Sequence, residues 1–129
     1  FYYSNLCNAN LGQSNLNCAS LMGANMAKAN LRRASCVGTN LFRAILTGAD
    51  LTEADLREAV LRLADLSNTS LENANLFRAN LSEACLDYAQ LAGANFKKTN
   101  LWRVNLGQLI LTHPGHDRDA ITVDSSALN

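Results

Sequence analysis

Two histidines and two aspartates fall within seven residues in the segment His113-Pro114-Gly115-His116-Asp117-Arg118-Asp119. Imidazole and carboxylate groups so close could in principle hold a divalent metal. However, HxxH across Pro-Gly matches no recognised site geometry, and a solvated turn in a tail is the commoner use of such residues. Four cysteines, Cys7, Cys18, Cys36 and Cys85, show neither CxxC pairing nor metal-ligand spacing, and read as unpaired thiols in a reducing compartment. There is no nucleophile elbow, no phosphate-cradling glycine loop and no pair of catalytic carboxylates. The chain is therefore expected to be no enzyme, with no cofactor and no metal.

Composition narrows the choice further. The 129 residues are 48% apolar and only 6% aromatic, and 11 basic side chains balance 11 acidic ones. One compact domain or one short repeat array fits that length, and a two-domain enzyme with a large cofactor does not. Neutral balance gives no general pull toward nucleic acid or an anionic membrane. No uninterrupted apolar run is long enough to cross a bilayer, and no secretory signal pattern opens the chain. The reading is a cytoplasmic chain with no membrane and no nucleic-acid partner. It begins at Phe1, so the sequence is silent on any upstream targeting or capping segment.

Every other feature is subordinate to a period of five. Leu stands at 6, 11, 16, 21 and 31, at every fifth place from 41 to 91, and at 101, 106 and 111, interrupted only by Met26, Cys36 and Phe96. Two places before each central residue is a small one, Ala in fifteen of twenty-two units, and the place between is usually Asn or Asp. No insertion breaks the register from residue 1 to residue 111.

A period of five fits neither ordinary element. On an α-helix it scatters the leucines around the axis, and on a flat strand an odd period sends them to alternate faces. Only a backbone that turns a corner every five residues returns each Leu to the same interior. The pattern predicts a wound all-β solenoid.

Units such as Ala29-Asn30-Leu31, Ala49-Asp50-Leu51, Ala54-Asp55-Leu56 and Ala74-Asn75-Leu76 resemble the pentapeptide repeat family, whose unit is commonly written A(D/N)LXX. The resemblance covers residues 1–111 and implies a right-handed quadrilateral β-helix with four units per coil. At the usual strand spacing that gives about five and a half coils and a rod of roughly 26 Å. Leu and the small residue then point inward in stacked columns, and the other three places face water. Residues 112–129 are left as a C-terminal cap or tail.

Corners and faces follow from this register. The second residue after Leu is Gly at 23, 38, 48 and 93, but Arg33, Glu53, Glu58, Arg78, Glu83, Lys98 and Arg103 stand at the same place elsewhere. Many type I corners are therefore expected, with type II concentrated at the glycines. Residues twenty apart should stack, which sets Arg33 over Glu53, Glu58 over Arg78, and Glu83 over Arg103. Along the chain, residues 1–45 carry four positive charges and no acid, whereas residues 46–90 carry eight acids against three bases.

Two functional readings result. Some pentapeptide repeat proteins are DNA mimics that bind DNA gyrase and confer quinolone resistance, but here the acidic band is short and flanked by basic coils. The better candidate is a partner-binding surface at Met22, Phe42, Arg62, Phe77 and Trp102, where aromatic and Arg side chains of the kind enriched in binding hot spots share adjacent corners. The expected role is a rigid protein-protein interaction or structural scaffold with an unidentified protein partner. It would be a monomer or associate weakly end to end, with the topoisomerase-directed mimic as the alternative.

Overall fold

A computed structural model describes residues 2–108 and 122–123. Over these residues the chain is an all-β solenoid, held by parallel bridges between residues twenty apart, from Asn5↔Asn25 through to Cys85↔Asn105. Twenty residues, or four five-residue units, thus bring the backbone back over itself. A bridge rarely grows into a strand because a corner arrives before a second pair can form. Two named strands occur among the described residues, β1 (Asn95–Phe96) and β2 (Thr122–Val123), paired in parallel with Asn95 against Thr122. Thr122 therefore continues the column of Ser35, Asp55, Asn75 and Asn95 with a longer step than the regular twenty. The expected boundary at residue 111 lies outside the described residues.

The amides of a unit explain its sequence. Using the unit centred on Leu6, the Leu6 amide donates forward to the Asn25 carbonyl, 2.7 Å, and the Asn8 amide donates forward to Ala27, 2.9 Å. The Ala9 amide closes the corner onto the Leu6 carbonyl at 3.0 Å. In the next coil the Asn25 amide reaches back to Ser4, 2.9 Å. The one amide without a backbone acceptor is that of the residue just after Leu, and the side chain of the Asn or Asp just before Leu serves it. Asn5 Oδ1 accepts from the Cys7 amide, Asn30 from Arg32, Asp50 from Thr52 and Asn100 from Trp102, all at 3.0 to 3.1 Å. An unserved buried amide costs about 1–3 kcal/mol, so the recurring Asn and Asp are structural caps.

The corners differ from the sequence expectation. Positive φ is found at the second residue after Leu whether it is Gly or not: Gly23, Gly38, Gly48 and Gly93 lie at 64° to 70°, and Arg33, Glu53, Glu58, Arg78, Glu83, Lys98 and Arg103 at 54° to 61°. The expected type I corners at these residues are not formed. Type I and type II turns differ by a flip of the central peptide. Stacked central peptides here form a chain in which Asn8 donates to Ala27 and Lys28 donates to Thr47. Flipping one corner would set amide against amide, so a single orientation runs through each column. L residues accept the left-handed region at about 1–2 kcal/mol each because the ladder bonds offset it.

Inside, the central residues and the small residues are buried together. Leu21 through Leu91 of the register lie at 2% exposure or less, with Met26, Cys36 and Phe96 filling the same column. Thr can stand in for Ala where its hydroxyl finds a carbonyl: Thr39 Oγ1 donates to Leu16 and Thr99 Oγ1 to Leu76, 2.8 and 2.7 Å. Leu6, Leu11, Leu16, Leu101 and Val104, nearer the two ends, are only partly buried against this core.

A candidate interaction face with paired aromatic and basic side chains

The rigid corners place the predicted surface residues on two edges. Met22, Phe42, Arg62 and Trp102 occupy one edge at successive or later coils, in line with Tyr2 and Ser82, and Phe77 lies on the neighbouring edge with Val37. Met22, Phe42 and Phe77 are half-buried, whereas Trp102 is 51% exposed. Ser82 interrupts the apolar line. It is buried, and its hydroxyl donates to Asn80 Oδ1 at 2.8 Å.

Each ring carries its own cations. Arg43 and Arg62 lie 5.2 and 5.8 Å from the Phe42 centroid, Arg78 and Lys98 lie 5.2 and 5.8 Å from Phe77, and Arg103 lies 4.5 Å from Trp102. Such pairs contribute about 0.5–1 kcal/mol at exposed sites. Sequence reasoning found the rings but missed this pairing. The signal was the basic residue immediately after each ring, Phe42-Arg43, Phe77-Arg78 and Trp102-Arg103.

Stacking arithmetic succeeded for two of the three charge pairs. Arg33 binds Glu53 through two bonds, 2.7 and 3.2 Å, which holds the Glu53 carboxyl below its ordinary range. Glu58 meets Arg78 at 3.9 Å. The third expected pair is not formed: Glu83 accepts from Arg62 at 2.8 Å, and Arg103 lies on Trp102 instead. Arg62 reaches across one coil and one place along the corner, a diagonal that a strict step of twenty does not see. Arg32–Asp50 and Arg57–Asp55 are further ion pairs of the middle coils, at 3.2 and 2.7 Å.

All four cysteines are free. Cys7 and Cys18 are exposed, and burial raises the Cys36 thiol to about 11, with the charge of Asp55 adding to the effect. Among the described residues no His, Cys, Asp or Glu cluster could hold a metal, and no helix is long and apolar enough to cross a membrane. The His113–Asp119 segment lies outside the described residues.

Fold and surface define a β-solenoid repeat protein whose exposed corners carry the recognisable chemistry of the described residues. The chain belongs to the pentapeptide repeat family: the family model, described as pentapeptide repeats, matches it in 8 copies over residues 1–35, 34–73 and 74–112. It is similar to a pentapeptide repeat protein from the thylakoid lumen of Arabidopsis thaliana, with 31% identity over 76% of this chain and 68% of that one, and a TM-score of 0.62. It is also similar to the pentapeptide repeat protein Rfr23 of the cyanobacterium Cyanothece 51142, with 27% identity over 97% and 87% of the two chains and a TM-score of 0.66. A likeness of fold extends to trypsin-treated QnrB1, a plasmid-mediated fluoroquinolone resistance protein, at 20% identity over 90% and 65% of the chains and a TM-score of 0.50. Among curated protein sequences none matches significantly.

Proposed function

We propose that this chain is a non-enzymatic right-handed quadrilateral β-helix of about five and a half coils, and that it acts as a rigid protein-protein interaction or structural scaffold. The observation that carries this reading is the edge bearing Phe42 and Trp102, where aromatic rings and arginines stand outside a backbone tied from coil to coil by hydrogen bonds. Aromatic and Arg side chains fixed in place contribute binding energy at little cost in lost freedom. Residues 112–129 are its C-terminal cap or tail, and the free thiols suit a cytoplasmic chain.

The test is capture of partners from a native lysate by the wild-type chain and by the double variant Phe42→Ser/Trp102→Ser. Loss of captured proteins in the variant supports the reading, and an unchanged set overturns it. Sedimentation at rising concentration separates a monomer from end-to-end association.

The alternative is a DNA mimic acting on a topoisomerase such as DNA gyrase, a reading for which the shared fold with QnrB1 is the motive. Its acidic surface would have to come from the middle coils, where Asp50, Glu53, Asp55, Glu58 and Glu83 each face an arginine. A gyrase supercoiling assay that responds to this chain, and stops responding when Asp65 and Asp87 are neutralised, would favour it.

A further inference from the structure

Charge is sorted around this rod as well as along it. The two edges carrying Phe42, Trp102 and Phe77 flank one strip of the solenoid, the stacked column Ser20, Asn40, Val60, Asn80 and Asn100. No residue of that column is charged. Its two edges hold seven basic side chains against Glu58 and Glu83, a net of five positive charges. The remaining described residues hold three basic side chains against six acidic ones. Arg57, Arg62 and Arg78 are taken by carboxylates. Among the described residues Arg43, Lys97 and Arg103 have no carboxylate within ion-pair reach.

We infer that this strip binds an extended acidic segment of a partner protein, laid along the rod axis between the two basic edges. The inference rests on the interaction reading above and gives the partner its chemistry. Its length agrees: five rungs at strand spacing span about 19 Å, the reach of about six extended residues. The strip is neutral and has basic residues on both sides, so carboxylates pointing either way from an extended chain meet a cation. Bases of a nucleic acid would instead need open ring faces to stack on, and Phe42 and Phe77 each already hold two cations. The aromatic rings act here as supports that hold guanidinium groups in place.

The experiment uses a fluorescein-labelled oligoglutamate peptide of about six residues, followed by anisotropy with the wild-type chain and the triple variant Arg43→Gln/Lys97→Gln/Arg103→Gln. None of the three is in an ion pair, and Arg43 and Arg103 give up only their contacts with Phe42 and Trp102, so the variant should stay folded with a small fall in its thermal melt. The expected result is binding that weakens about tenfold in the variant and about tenfold again on raising salt from about 50 to about 300 mM. Lys28→Gln, on a different edge, should bind as the wild type does. Absence of binding by the wild type, equal binding by the triple variant, or tighter binding of single-stranded DNA of about twelve nucleotides would each overturn the inference. Lysate capture by the same variants separates the two readings. If Phe42→Ser/Trp102→Ser loses partners that the triple variant keeps, the interaction face stands and its acidic ligand falls; if neither variant loses them, both fall.

Discussion

Asn17 Oδ1 accepts the backbone amide of Val37, one coil further on, at 2.8 Å, and takes the Ser35 hydroxyl at 2.7 Å as well. Ser35 occupies the place where most units carry Asn or Asp, and its hydroxyl donates to Asn17 instead of serving the amide two residues on. The preceding coil supplies the missing acceptor. A departure from the repeat in one coil is thus compensated by the side chain stacked beside it.

Asn17→Ala should therefore destabilise by about 1 kcal/mol, although Asn17 is exposed and remote from the core. Asn17→Asp, which keeps the acceptor, should lose less. Urea unfolding of the three chains checks this, and equal midpoints would remove the capping role.

Leu56 is fully buried in the central column. Leu56→Asp sets a carboxyl among leucines with no donor and should cost about 4 kcal/mol or more. Because neighbouring coils share the column, the loss should appear as a large fall in melting temperature by circular dichroism. An unaltered melt would contradict the inward column.

Gly48 has φ +69°, and a Cβ there would lie 3.6 Å from Lys28 Cγ, so space is adequate and backbone conformation decides the outcome. Gly48→Val places a β-branched residue in the left-handed region and should cost about 1–2 kcal/mol. Gly48→Asn should cost clearly less. If Val is tolerated as well as Asn, the central peptide of that corner can flip.

Acid should unfold the rod from its middle coils. The Asp55 carboxyl is held below its usual value by Arg57, against partial burial, and Glu53 by Arg33. At Asp50 and Asp65 burial pushes upward, but bonds from Thr52 and Arg32, and from Ser67 and Thr47, outweigh it. Groups with depressed folded values stabilise fully above their unfolded values, about 4 for carboxylates, and lose that contribution as pH falls through the folded ones. Melting temperature should stay level from neutrality to about pH 5 and drop below about pH 4. A melt that improves in acid would mean that these carboxyls are not depressed in the folded chain.

The interior was legible residue by residue, because only two of five positions return to the axis, and Leu and Ala mark them. The regular Asn and Asp could be recognised as structural from their recurrence alone. Their task as acceptors for one orphan amide required the hydrogen bonds. Corner geometry was misread for a related reason: the preference of Glu58 or Arg78 is a property of one turn, whereas the peptide orientation belongs to the whole stack. The surface was legible only in part. Phe42, Phe77 and Trp102 stood out by type, but Arg62 selecting Glu83 over a same-column neighbour depends on side-chain reach, which spacing does not encode.

The twenty-residue return also fixes what can be cut or added without scrambling the outside. Removing five residues leaves the inward leucines in phase but moves every later corner onto a different edge, so that Lys97 would leave Phe77 behind and Trp102 would leave Phe42. Removing twenty shortens the rod by one layer and leaves each edge with its own residues. For the interior the natural unit of change is the pentapeptide, and for the surface it is the whole coil.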